Sequence, residues 1–419
     1  MKKSLVDRSP RILLLLPTRT YRATDFLAAA EQLKVEVVIG SDQPQTLGGL
    51  SPRKSLALNF DHPAEATQKI VAFAKDYPID AVVGVDDDTT VLATMAAKGL
   101  GLPHNAVESA YATRNKYQLR KILAEAGLLS PQFALFSINA NPAEIAAQVS
   151  FPCVIKPLSL SASRGVIRAD DSEQFVTAFH RVVAILRQKE NVEGRETVHQ
   201  HILVEGFIPG TEVALEGILL EGKLRVLAIF DKPDPLHGPF FEETLYITPS
   251  RLTTERQKEI ASVVAKAADA LSLREGPVHA ELRINDQGVW PIEIAARSIG
   301  GLCARTLRFG TGISLEELII RHAIGRDVDS LEREGQAAGV MMIPIPCAGI
   351  LREVRGKARA EAVDKIEEVT ITISLGQEVL PLPEGGRYLG FIFARGETPE
   401  SVETALREAH RRLEFVITK

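Results

Sequence analysis

Residues 278–297 read VHAELRINDQGVWPIEIAAR, and this stretch decides the fold. Two runs of alternating apolar and polar residues flank N-D-Q-G, which is a hairpin pattern. Each run carries a carboxylate in its middle, Glu281 and Glu293. Three-residue hairpin loops favour a type I turn followed by a glycine in the left-handed region. With Asp286–Gly288 as that loop, Asn285 pairs with Val289, Arg283 faces Pro291 and Glu281 faces Glu293. Directly opposed residues share a face and lie about 5 Å apart. Two like charges are therefore expected side by side. They could be solvated on an outer face, or neutralised by Arg283 and Arg297. They could also hold a divalent cation, since magnesium takes oxygen ligands and is bound by one or two carboxylates plus substrate phosphates. His279 and Arg297 fall on the same alternating face, and a cation beside such a site suits a transferring phosphoryl group or an oxyanion.

The rest of the chain sets the context. Its 419 residues exceed one ordinary core, so two to four domains are expected. The formal net charge of −5 and the mixed charge pattern give no sign of a nucleic-acid partner. Cys153, Cys303 and Cys347 lie far apart without CxxC spacing, which argues against a disulfide framework or zinc site and fits a reducing cytoplasm. The N-terminus has a basic start and an apolar run. That run, Ile12 to Leu16, is short for a signal peptide and reads better as a buried strand. No segment is long and apolar enough to span a membrane.

Strands RILLLLP, KVEVVIGSD and IDAVVGVDDD alternate with helical stretches near Thr24–Leu33, through Ile70–Lys75 and in TVLATMAAKGLGLP. That alternation predicts an α/β layer with a parallel sheet, whose ligands sit at the carboxyl ends of strands. Asp86–Asp88 fall at one such end, where Asp88 is a candidate helix N-cap. From about Asn115 the pattern changes. NKYQLRKILAEAGL and Ser172–Arg187 read as helices, FPCVIKPLSLSASRGVIRADD as strand, polar loop and strand, and HILVEGFIPGTEVALEGILLEGKLRVLAIFDK as antiparallel strands. Thr254–Ala270 is a helix, SLEELIIRHAIG a shorter one, REGQAAG a polar linker, and PESVETALREAHRRL a final helix after short strands.

Lys156 ends an apolar strand, so its charge should point at a partner. The serine-rich loop Leu158–Gly165 follows, and its backbone N–H groups and hydroxyls could wrap phosphates, although no Walker A pattern occurs. Taken singly, Lys116 is a solvated lysine, and Glu205 and Glu212 are surface glutamates.

In order along the chain, Lys116, Lys156 with its loop, E-G-F-I-P-G-T-E, then Glu281, Glu293 and Arg297 resemble the ATP-grasp superfamily. DKPDPLHGPFFEETLYITPSRL and IEIAAR are most similar to the L-amino acid ligases within it. The resemblance implies a Rossmann-like N-terminal (pre-ATP-grasp) domain over residues 1–110. It implies an ATP-grasp fold over 111–328, with a mobile lid at about 131–203, and a small C-terminal β-rich domain over 329–419, like that of biotin carboxylase. It further implies that Lys116 and Lys156 contact ATP phosphates and that Ser161, Ser163 and Gly165 close over them. Glu205, Gly206, Phe207 and Ile208 would form the adenine hinge, largely through backbone groups, and Glu212 would bind the ribose. Glu281 and Glu293 would ligate Mg2+, with Mn2+ as an alternative, and Arg297 would steady an acylphosphate. Asp87 is the implied substrate-contacting acid, with Glu243 and His279 as further candidates. Where many relatives carry asparagine two residues after the second metal glutamate, this chain has Ala295.

The function so implied is an ATP-dependent carboxylate–amine ligase with small-molecule carboxylate and amine substrates, cytoplasmic, with a homodimer as the assembly relatives suggest. The alternatives are a carboxylase-type enzyme that phosphorylates bicarbonate, for which no AMKM-like biotin segment is present, and a non-catalytic ATP-binding regulator.

Overall fold

The computed structural model describes residues 8–43, 55–188, 198–327 and 330–419. The chain opens with β1 (Arg11–Leu15), α1 (Ala23–Gln32), β2 (Glu36–Ser41), β3 (Ser55–Ala57), α2 (Pro63–Asp76), β4 (Ala81–Gly84) and α3 (Asp87–Leu100). The strands form a parallel sheet in the order β3-β2-β1-β4. Ile12 to Leu15 are wholly buried, as expected where helices cover both faces of a parallel sheet. Asp86, not Asp88, occupies the N-cap of α3, where the Thr89 hydroxyl donates to its carbonyl (2.7 Å). Asp87 and Asp88 therefore lie in the first turn, at the carboxyl end of β4.

Two helices lead out of this layer, α4 (Val107–Arg114) and α5 (Lys116–Glu125). Asn115 caps α5 by accepting from Tyr117 N and Gln118 N, which fixes Lys116 at the first helical position. A small sheet follows, made of β5 (Phe133–Ser137), β6 (Cys153–Pro157), β7 (Ile167–Ala169) and β8 (His201–Gly206). Its order is β5-β8-β6-β7, and α6 (Pro142–Ala146) and α7 (Ser172–Leu186) pack against it around Phe175, Phe179 and Ile155.

The central sheet holds β9 (Thr211–Leu220), β10 (Lys223–Asp231), β11 (Leu245–Thr248), β12 (Gly276–Asn285) and β13 (Gly288–Ala295), backed by α8 (Thr254–Ala270). After β14 (Arg308–Phe309), β15 (Ile313–Ser314) and α9 (Leu315–Ala323), the chain returns to the same sheet as β16 (Ala337–Ile343). Then come β17 (Gly349–Arg355), α10 (Lys357–Glu361), β18 (Ile366–Ile371), β19 (Glu378–Val379), β20 (Gly390–Gly396), α11 (Pro399–Arg411) and β21 (Glu414–Thr418). Among the described residues the order is β13-β12-β9-β10-β11-β16-β20-β18. REGQAAG is thus no free linker. Ala337 to Gly339 pair with Gly396 to Ala394 on one side, and Ala338 and Gly339 with Thr248 and Ile247 on the other. The β-rich C-terminal segment extends the central sheet, and one core cluster joins Phe26 of α1 to Phe230, Leu318, Met342 and Phe391.

The hairpin closes in a different register from the one predicted. Asn285 pairs with Gly288 around a two-residue turn, and Arg283 faces Trp290. The Asn285 side chain accepts from Gln287 N (2.9 Å) and Trp290 Nε1 (3.0 Å), which tightens the loop. One bulge then restores the frame: Leu282 faces Pro291, Ile292 is extra, and Glu281 faces Glu293. Pro291 has no N–H for the ladder, so a bulge beside it is a low-cost irregularity. The Arg120 guanidinium donates to the Pro291 and Ile292 carbonyls there (2.7 and 3.4 Å). No helix among the described residues is long and apolar enough to cross a membrane.

Candidate active site

A cavity of about 400 Å³ lies between the small sheet, the central sheet and the carboxyl end of β4, in the size range of small-molecule sites. One face of β12 supplies its floor. His279, Glu281 and Arg283 alternate along that strand and stand opposite Glu216, Ala214 and Glu212 of β9. His279, Glu281, Arg283 and Glu212 line the cavity, as does Glu293 of β13.

Arg283 does not neutralise the Glu281–Glu293 pair. Its Nε donates to Glu212 (2.9 Å), and its other nitrogens reach the carbonyls of Ile208 and Leu236. Glu212 is buried rather than a surface glutamate, and it also accepts from Lys232 Nζ (2.8 Å). Glu281 lies 3.7 Å from His279 Nε2 and 3.4 Å from Lys232 Nζ. Burial works against its charge, but Lys232 and His279 outweigh burial and hold the carboxyl well below the usual range. Glu293 is 3.6 Å from Lys116 Nζ. Ala295 is buried against His279 across the strand pair and offers no donor. His279 gives its Nδ1 side to Glu216 (3.1 Å), a wholly buried carboxylate that also accepts from Ile299 N (3.0 Å). Burial pushes the Glu216 carboxyl up.

On the small-sheet side, Lys156 is buried and paired with Glu205, which also takes the Arg120 guanidinium (Nε, 3.1 Å). Burial lowers the Lys156 pKa, and the nearby Arg120 and Lys116 charges add to that. The Gly206 and Phe207 N–H groups donate to Gln132 and Pro152, so the expected hinge is anchored within the fold at these two positions. Beside Glu205, what that strip presents to the cavity is apolar. Phe207 stacks on Phe241 (6.3 Å between centroids), and Val154 and Leu236 complete the slot. The Arg168 guanidinium lies over the Phe207 ring (4.2 Å).

The serine loop faces the first layer. The Ser161 hydroxyl donates to Asp87 (3.1 Å), and Ala162 and Ser163 adopt left-handed backbone (φ 55° and 54°). Such φ values are uncommon outside glycine and mark a backbone held by its surroundings. The Gly165 N–H donates to Pro383 O (2.9 Å) instead of pointing into the cavity. Lys116 Nζ reaches the Leu160 carbonyl (2.8 Å). Arg297 donates to Asp87 (2.9 Å), and Arg114 sits 3.6 Å from the same carboxylate. Burial opposes the Asp87 charge, but Arg297 and Arg114 hold its carboxyl far below the usual range. Arg22, buried, ties this corner together by donating to Val85 O (3.0 Å) and Ser298 Oγ (2.7 Å).

All sixteen residues singled out from the sequence line this cavity except Gly165. Glu243 lies on its wall, hydrogen-bonded by Tyr246 (2.9 Å) and paired with Lys232. Burial and the neighbouring Glu281 charge push the Glu243 carboxyl up to about 7. Arg120, Arg114, Lys232, Tyr246 and Glu216 escaped sequence reading. Two of them carried a signal. Lys232 ends an apolar strand, as Lys156 does, and Arg120 sits beside Leu119 and Leu123 on the buried face of α5.

The donor set suits a divalent ion. Two opposed carboxylates lie on the cavity wall, each about a fifth to a quarter exposed. A second acidic group, Glu212, Glu243 and Glu281, converges within 4.8 Å, but the Lys232 ammonium contacts all three.

Comparison with known proteins finds matches along most of the chain. Residues 27–104 match the ATP-grasp N-terminal domain, 149–306 the ATP-grasp domain, and 341–418 the L-amino acid ligase C-terminal domain 2. The crystal structure of L-amino acid ligase from Bacillus licheniformis superposes with a TM-score of 0.82 at 26% identity, over 99% of this chain and 100% of that one. Alanine–anticapsin ligase of Bacillus subtilis is 28% identical over 66% of this chain and 63% of its own length. The chain thus spans just under two thirds of that relative. D-alanine–D-alanine ligase of Cupriavidus necator is 22% identical over 68% of this chain and 85% of its own.

Proposed function

We propose that this chain, which belongs to the ATP-grasp proteins and is L-amino acid ligase-like, joins the carboxylate of one amino acid to the amine of a second while ATP becomes ADP and phosphate. The observation that carries the reading is Glu281 opposite Glu293 on the wall of a cavity that also holds Lys116, Lys156 and Arg297. The adenine would lie in the slot of Val154, Phe207, Leu236 and Phe241, beside the strip Glu205 to Ile208. Glu212, held by Lys232 and Arg283, would receive the ribose hydroxyls. Lys116 and Lys156 would face the phosphates, and Ser161 and Ser163 would cover them. Glu281 and Glu293 would hold Mg2+, with Mn2+ as an alternative, which when bound offsets charge on the transferring phosphoryl group.

A free carboxylate is a poor electrophile, because oxide would have to leave. Phosphorylation removes that obstacle, and the protein contributes positioning and charge stabilisation. Arg297 would orient the substrate carboxylate, one oxygen of which attacks the γ-phosphorus as the bond to the ADP oxygen breaks. The amine nitrogen then attacks the acyl carbon, the carbon–oxygen bond to phosphate breaks, and the nitrogen gives up a proton to the departing phosphate. Asp87 and Glu243, both on the cavity lining, are the acids available to a substrate ammonium, with His279 beside Glu281. The serine loop keeps water from the acylphosphate.

The test is phosphate release from ATP and Mg2+ across a matrix of amino acid pairs. A productive pair should stimulate release, and Glu293→Gln should lower it on the order of 10²-fold or more. Stimulation by bicarbonate alone would favour a carboxylase. ATP binding without stimulation by any amino acid pair or other carboxylate would favour a regulator.

A further inference from the structure

We propose that Lys232 is a positioning residue that locks the nucleotide, amine and metal carboxylates into one unit; this rests on the roles just given to Glu212, Glu243 and Glu281. Lys232 follows β10, and its side chain is 3% exposed. Its ammonium lies 2.8 Å from Glu212 and 3.4 Å from Glu281, and it contacts Glu243. The Tyr246 ring lies 4.9 Å away and covers a further side. The ammonium, which has three donors, gives two of them to Glu212 and Glu243, and Glu281 lies within ion-pair distance.

Lys232 does not line the main cavity, whereas Glu212, Glu243 and Glu281 do. It stands behind the wall and acts only through those three groups. Their oxygens lie within 4.8 Å of one another, a separation at which like charges repel strongly away from bulk water. Such a trio would splay apart or collect a divalent ion. Lys232 prevents both. A burial this deep works against the ammonium, yet Glu212, Glu243 and Glu281 outweigh it and keep the charge in place. One rigid cation therefore fixes three carboxylates that serve different substrates, so disturbing it should be felt at each subsite together.

The test compares the full chain with Lys232→Met and Lys232→Arg. Mn2+ binding to the nucleotide-free protein is counted by electron paramagnetic resonance. ATP affinity is measured by calorimetry, and KM and kcat are measured for the amine where a productive pair is known. Lys232→Met should bind one more Mn2+ per chain than wild type and bind ATP roughly tenfold more weakly, the scale of a support residue. Its KM for amine should rise with it. Lys232→Arg keeps the charge and should restore the wild-type Mn2+ count. An unchanged Mn2+ count and ATP affinity in a folded Lys232→Met variant would overturn the proposal. If Lys232→Met does not fold, Lys232→Gln, which keeps a donor without the charge, replaces it under the same criteria. The Mn2+ count needs no turnover. A chain that ligates no amino acid pair would overturn the ligase reading and with it the amine role of Glu243, while the Mn2+ count and ATP affinity would still decide whether Lys232 holds the metal and nucleotide carboxylates.

Discussion

At the scale of single residues, the site is organised by charges that already have partners. Arg120 shows how strongly. Its guanidinium holds Glu205 and the two carbonyls of the β13 bulge, and it is 1% exposed. Removing one member of a buried pair leaves the other uncompensated, which costs about 3–5 kcal/mol. Because Lys156 stays paired with Glu205, Arg120→Met should lower the stability of the chain by less than that, about 2–3 kcal/mol in denaturant unfolding, largely from the carbonyls it leaves without a donor. Lys121→Met, next in sequence on the exposed face, should change stability by about 0.5 kcal/mol or less. Equal losses for the two would mean that Glu205 is satisfied without Arg120. The same pairing governs chemistry. Arg297 donates to Asp87, so the proposed substrate carboxylate would meet a guanidinium that an internal carboxylate also holds.

At the scale of elements, legibility followed the strength of local pattern. Thr254–Ala270 was readable to the residue, because Thr253 caps a long amphipathic run. The opposition of Glu281 and Glu293 was readable, yet its register was not. Asn285 tightened the turn by one residue and Pro291 inserted a bulge, and these two effects cancel at Glu293. β3 and β5 were missed. One has three residues, and the other pairs with β8 across a long sequence separation, so neither carries a local period. One contact between elements makes a pH prediction. His322 of α9 accepts the Gly276 N–H of β12 at Nε2 (3.1 Å), which requires that nitrogen unprotonated. Burial lowers its pKa, and Glu275 opposes that only in part. A depressed histidine favours folding above its unfolded value, about 6.5, and loses that contribution as pH falls through the folded value. The melting-temperature gap between wild type and His322→Asn should therefore narrow from pH 7.5 to pH 5. A constant gap would show that the bond survives protonation.

At the scale of the whole molecule, the sequence suggested three successive units; one eight-stranded sheet runs through the second and third, and a shared core joins the separate four-stranded sheet of the first to them. The small sheet is tied to this body from the C-terminal side. Arg181 of α7 makes a two-pronged pair with Glu384 (2.6 and 2.9 Å), Arg164 donates to the Glu384 carbonyl (2.8 Å), and Gly165 N to Pro383 O (2.9 Å). These residues belong to the segment between β19 and β20, to the serine loop and to α7, which no local sequence pattern connects. Glu384 and Arg181 are about a third and two fifths exposed, so the pair contributes only about 0.5–1 kcal/mol. That is too little to matter for folding and enough to bias a loop, by a factor of about 2–5 at 1.4 kcal/mol per tenfold. Glu384→Gln should leave the melting temperature nearly unchanged. Amide hydrogen exchange at Ser161 to Gly165 should rise about 2–5-fold. If the loop shields an acylphosphate, ATP turnover that yields no amide should rise by a similar factor, because water reaches the reacting carbon more often. Faster exchange with unchanged coupling would make the clasp real but irrelevant to chemistry. Unchanged exchange would mean that the backbone bonds of Gly165 and Arg164 hold the loop without the ion pair.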